Sequence, residues 1–123
     1  MITNDLEQAF YLDDESGFSW RVETLWRVAE DYEQVVLPLD SLIHNLRKPQ
    51  WGSNLTPMDA LSHINRILKA DLEYPILVYK KNNKLEVCDG IHRLCAYHMT
   101  GTDSVVAKLI NLPMPDFAGV HKR

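Results

Sequence analysis

The run Asp89-Gly90-Ile91-His92-Arg93 brings together, within five residues, the side chains that handle phosphate. A strand pattern ends at Asp89 and a helical one begins at Ile91, so the run falls where a strand turns into a helix. The first amides of a helix have no internal partners, the helix dipole adds partial positive charge, and glycine lets a ligand approach the backbone. Arg93 offers a planar bidentate donor to an oxyanion, His92 a second donor or a proton carrier, and Asp89 a hard oxygen for magnesium. A plainer alternative stands beside this one: Gly90 serves only the turn, and His92 and Arg93 face water.

The elements that must position this run are legible on both sides of it. Ile76 to Tyr79 is the strongest strand pattern in the chain. Lys81-Asn82-Asn83-Lys84 then makes a tight hairpin into a second strand, Leu85 to Cys88, because asparagine tolerates positive φ. After Gly90, Ile91, Leu94, Cys95 and Met99 recur at helical spacing until Gly101 closes the helix. Upstream, Thr56, Pro57 and Asp59 write a helix start, and the helix is expected to reach about Ala70, burying Ala60, Leu61, Ile64, Ile67 and Leu68.

Other elements complete the set. From Phe18, apolar residues at Val22, Leu25, Trp26, Ala29 and Tyr32 mark one face of a first helix, expected to pack into the core. A strand over 34–37 precedes Asp40, which either caps a brief helix through Leu46 or contacts metal or substrate. The turn-rich loop from Arg47 to Leu55 carries Trp51, which either anchors core or stacks on a base. A last strand, Ser104 to Ile110, leads into a proline-containing tail. A hairpin, with further strands separated by helices, predicts a small mixed sheet covered by helices, in an α/β or α+β fold.

Composition narrows the classes. A chain of 123 residues, 46% hydrophobic and 24% charged, has the makings of one domain with its own core, without disulfides or a structural metal. No apolar run approaches the ~20 residues of a bilayer span, and the polar, acidic opening does not resemble a signal peptide. A soluble, cytoplasmic protein is the expectation. Residues 1–33 carry nine acids against two bases, and residues 41–123 seven against eleven. The later excess suits a phosphate-bearing ligand but falls far short of a face that neutralises a DNA backbone. Cys88 and Cys95 match no zinc or redox spacing and read as buried free thiols. His44, His63 and His98 lack metal-ligand spacing and read as surface or packing residues.

The segment from Tyr74 to Gly101, followed by Val105 to Ile110, resembles the N-terminal domain of the ParB family and the wider ParB/sulfiredoxin superfamily. Val35 to Leu42 is similar to that family's opening strand and cap, and Asn45 to Gln50 to the polar loop that follows, so the resemblance covers about 34–112. The expected organisation is a single domain over 1–123, with an acidic helical extension over 1–33 before the family-like core. The resemblance implies that Gly90, Ile91, His92 and Arg93 bind the phosphates of ATP or CTP, with magnesium on Asp89. Asp89 and His92 would be the catalytic pair, and Asp40, Arg47 and Trp51 candidate substrate or base contacts.

Departures from the family select among its activities. Sulfiredoxins resemble G-C-H-R at this turn, whereas Ile91 stands where their nucleophilic cysteine would be, which argues against reductase chemistry. Partition proteins carry G-E-R-R-like turns and continue into DNA-binding and dimerisation domains, which a chain ending at Arg123 is not expected to have. The superfamily's small-molecule kinases, similar to D-G-H-H-R, match the turn better. The expected function is therefore ATP- or CTP-dependent phosphoryl transfer or hydrolysis. The alternative is a nucleotide-sensing or partner-binding module that uses the acidic N-terminal helix as its contact surface. A nuclease ranks last, since net charge −4 and the missing DNA-reading element argue against it.

Overall fold

The computed structural model describes residues 10–13, 18–52, 54–111 and 120–122. Its centre is a four-stranded mixed sheet built from β3 (Val35–Pro38), β4 (Ile76–Lys81), β5 (Lys84–Asp89) and β6 (Ser104–Leu109). The strand order is β3-β6-β4-β5, with β4 and β6 parallel and the other two pairs antiparallel. Helices α1 (Val22–Ala29), α2 (Pro57–Leu68) and α3 (Ile91–Thr100) surround it, giving an α+β fold as expected.

Strand alternation splits the core between the two faces of the sheet, because successive side chains point opposite ways. Ile76 and Val78 join Leu42, Leu94, Tyr97 and Val105 on the α3 side. Leu77, between them, joins Leu25, Ala29 and Ile110 on the α1 side. All four residues from Ile76 to Tyr79 are buried, as a strand covered on both faces requires. The hairpin to β5 turns through Asn82 and Asn83 at φ 51° and 64°, the left-handed pair a two-residue turn needs. Buried Asn45 ties the preceding loop to β5: its amide donates to the Leu85 carbonyl at 3.0 Å and accepts from the Val87 amide at 3.1 Å.

Several expectations are corrected. The first helix does not start at Phe18: residues Phe18–Arg21 form β2, pairing with β1 (Phe10–Asp13) and with β7 (Val120–Lys122) in a separate three-stranded sheet. The alternation Phe-Ser-Trp-Arg satisfies a strand as well as a helix, and sheet partners distant in sequence decided between them. The segment 1–33 is thus part strand, and residues 1–9 and 14–17 of it lie outside the described residues. Asp40 caps nothing. Two short 3₁₀ turns (Leu39–Ser41 and Ile43–Arg47) replace the brief helix, neither with a side-chain cap, while the Ser41 hydroxyl donates to the Pro38 carbonyl. Helix α2 begins as read, with Thr56 and Asp59 in a reciprocal capping box, but ends at Leu68. Its stripe is not buried: Leu61, Ile64 and Leu68 are exposed, and only Ala60 and Ile67 are half-covered. Periodicity defines a face, not what covers it. Met99 on α3 is likewise exposed, the buried positions being Leu94, Ala96 and Tyr97.

Candidate functional site

The strand-to-helix corner is built as the sequence suggests. Gly90 takes φ +111° between β5 and α3, and a Cβ there would meet the Ile76 side chain at 3.2 Å and its Cα at 3.3 Å. Any L side chain would be strained and crowded, so the corner requires glycine. Gly90 is the N-cap of α3 and has no side-chain cap. Its carbonyl accepts the first helical bond, from the Leu94 amide at 2.9 Å. The amides just before Leu94 therefore end at the open terminus, where the helix's partial positive charge is concentrated.

That terminus opens into a cleft of about 880 Å³. Gln50 and Trp51 form one wall, Arg66, Lys69 and Asp71 come from the end of α2 and the turn beyond it, and Asp89 to Arg93 form the floor. Arg93 is held in place by two weak contacts: its Nη1 donates to the Pro75 carbonyl at 3.4 Å, and its guanidinium lies 5.8 Å from the centre of the Tyr74 ring. A guanidinium has five donors, so these contacts orient Arg93 without consuming it.

His92 is half-buried and engaged by a second ring. Its Nε2 is 2.8 Å from Nδ1 of His63 on α2, so one ring donates and the other accepts. Trp51 lies flat over the pair, 3.9 Å from the His63 ring centre at 9° and 5.3 Å from the His92 ring at 11°. Burial, reinforced by the neighbouring His63, Arg66 and Arg93, pushes the pKa of His92 down to about 4. Burial and Arg66 lower that of His63 as well. Near pH 7 the pair is neutral.

Asp89 also has a partner. The Trp26 indole, from α1, donates to its Oδ2 at 2.7 Å. Among the described residues no group of three His, Cys, Asp or Glu side chains could hold a metal. Magnesium needs only one or two carboxylates when phosphates and water complete its shell, so the remaining oxygen of Asp89 fits it only together with a phosphate ligand. Burial pushes the Cys88 thiol well above its ordinary value and raises Cys95 too, which keeps both protonated and poor nucleophiles.

Of the residues singled out in the sequence, Asp89, Gly90, Ile91, His92, Arg93 and Trp51 converge on the cleft. Asp40 and Arg47 do not line it; both are exposed elsewhere. Three residues were missed: His63, Arg66 and Lys69. Their spacing along α2 puts basic groups on one side of a helix, a weak signal until α2 is known to lie beside α3.

No protein-family model matches the chain, nor does any curated protein. Solved structures do. A sulfiredoxin from Arabidopsis thaliana aligns at 19% identity and a TM-score of 0.40, over 65% of this chain and 86% of that one. A C-terminally truncated chromosome-partitioning protein ParB from Caulobacter crescentus, complexed with CTP-gamma-S, aligns at 16% identity and a TM-score of 0.45. That match covers 66% of this chain and 46% of the partition protein, so the chain spans about half of it. No helix among the described residues is long and apolar enough to cross a membrane.

Proposed function

We propose that the cleft binds a nucleotide, a nucleoside triphosphate such as ATP or CTP, with its phosphates against the Gly90 corner. One observation carries this reading: the uncapped N-terminus of α3 shares its cleft with Arg66, Lys69 and Arg93, against Asp71 and Asp89. Backbone amides and a helix dipole select anions, and three cations, one on α3 and two at the end of α2, suit a ligand with several negative charges better than a single phosphate. Neutral His92 can offer or accept a hydrogen bond there but carries no charge to the phosphates near pH 7. Trp51 presents an aromatic surface at the cleft wall on which a base can stack. When bound, magnesium would add charge neutralisation of the phosphates beside Asp89.

Binding without turnover is the reading favoured over phosphoryl transfer or hydrolysis. The two side chains expected to act as acid–base group and metal ligand are each engaged inside the protein, His92 by His63 and Asp89 by Trp26. A nucleotide sensor needs only the seat; an enzyme must also free one of these groups. Calorimetric titration with ATP, CTP, GTP and ADP, each with and without magnesium, tests the reading. Binding of triphosphates more tightly than ADP is expected. Failure of every nucleotide to bind would remove it, and steady phosphate release would replace sensing with hydrolysis.

A further inference from the structure

The stack over the histidine pair uses only one face of Trp51. The His63 and His92 rings lie nearly parallel to the indole, with centres 3.9 and 5.3 Å from its own, yet their centres are only 5.0 Å from each other. Rings on opposite faces would be at least about 7 Å apart, twice a van der Waals contact. Both imidazoles therefore cover the same face, and the other face is left to something else. Trp51 also lines a second cavity, of about 320 Å³, whose walls include Leu46, Leu55, Ile91 and Cys95. Its size and apolar walls are those of a small-molecule site. It joins the phosphate cleft, since Gln50, Trp51 and Ile91 line both, and Ile91 is the first residue of α3, next to Gly90. Lys48 lines it too, but its ammonium is held by Glu86 at 2.7 Å. Among the described residues, this cavity therefore suits a flat apolar group better than another phosphate.

We propose that the second cavity is the base subsite: the nucleobase stacks on the face of Trp51 away from the histidines while the phosphates of the same ligand occupy the Gly90 corner. The base subsite presupposes the nucleotide seat proposed above and adds where the rest of that ligand goes. A base on the histidine side would have to break a stack at 3.9 Å; one on the opposite face displaces neither imidazole. Stacking on an aromatic side chain accepts any base, because every base has a π face. Gln50 supplies a polar group for the base edge. Its Nε2 donates to the Asn45 carbonyl at 2.8 Å, which orients the carboxamide and leaves Oε1 as an acceptor. The histidine pair then acts as the backing that holds the indole flat, and the base and phosphate subsites meet at Ile91.

Calorimetry of ATP, CTP and inorganic tripolyphosphate, each with magnesium, tests the assignment. The nucleotides should bind about tenfold or more tighter than tripolyphosphate, which carries the charge without a base. Cys95→Phe fills the cavity and should bring the nucleotides down to the affinity of tripolyphosphate. Nucleotides no tighter than tripolyphosphate in the unaltered protein, or a preference that survives Cys95→Phe, overturn the base subsite and leave the phosphate seat standing. Failure of tripolyphosphate and nucleotides alike overturns the seat and the base subsite with it. Should Cys95→Phe fail to fold, alkylation of half-buried Cys95 in the unaltered protein decides. ATP should slow it and tripolyphosphate should not; equal protection by both, or none by ATP, overturns the proposal.

Discussion

Helices α2 and α3 lie side by side but begin in opposite ways. Thr56 and Asp59 satisfy the start of α2: the Thr56 hydroxyl accepts from the Asp59 amide at 3.2 Å, and the Asp59 carboxylate accepts from the Thr56 amide at 3.1 Å. At the start of α3 stands Gly90, with no side chain to offer. The first terminus spends its amides on its own structure; the second leaves them to the cleft. Neighbouring charge sharpens the contrast. The closed terminus carries an acid, while the open one is surrounded by Arg93, Arg66 and Lys69. The difference teaches that an anion seat is made by withholding a cap as much as by adding a cation.

Substitutions at the two termini should therefore separate ligand binding from stability. The largest effect is expected for Gly90→Val, which forces a branched side chain into a left-handed backbone and against Ile76. It should cost about 2–4 kcal/mol of stability by chemical denaturation and abolish nucleotide binding. Arg93→Ala should weaken nucleotide binding by about 1.5–3 kcal/mol in calorimetry, with little change in melting temperature; unchanged affinity would remove Arg93 from the seat. Thr56→Ala, at the closed terminus, should show the reverse pattern, losing about 1 kcal/mol of stability and leaving affinity alone. A loss of affinity there would erase the distinction between the two ends.

The smallest effect concerns pH. His92 has a pKa of about 4 in the fold and an ordinary value of 6.5 when unfolded, so between those values the unfolded chain binds more protons. Stability then rises with pH across this window and is lost as pH falls from about 6.5 towards 4. His63, lowered by burial as well, adds to the slope in the same direction. His92→Gln should flatten the dependence of melting temperature on pH in this range, and an unchanged slope would place its origin elsewhere.

Much of the fold follows from local signals. The Asn82-Asn83 turn, the cap at Thr56, the start of α3 at Gly90 and its end at Gly101 all stand within a residue or so of where the chain's pattern places them. Each is decided by a residue's own backbone preference or by hydrogen bonds a few residues long. The Gly90–Arg93 corner was legible for the same reason. The failures share an opposite cause. Phe18–Arg21 pairs with β1 and β7, the stripe of α2 finds no cover among the described residues, and Asp40 and Arg47 lie away from the cleft. None of these depends on neighbours in sequence.

The amino-acid sequence by itself determined the corner: a glycine demanded by its backbone, opening a helix that carries an imidazole and a guanidinium in its first turn. Only tertiary structure decided what the corner faces. His63 reaches His92 across 29 residues and Trp26 reaches Asp89 across 63, while burial, reinforced by His63, keeps His92 neutral. Arg66 and Lys69 join the same cleft because α2 packs beside α3. Periodicity and capping act along the chain within a turn or two of helix. Burial, charge coupling and the walls of a cleft depend on which distant segments pack together, and no local pattern records that.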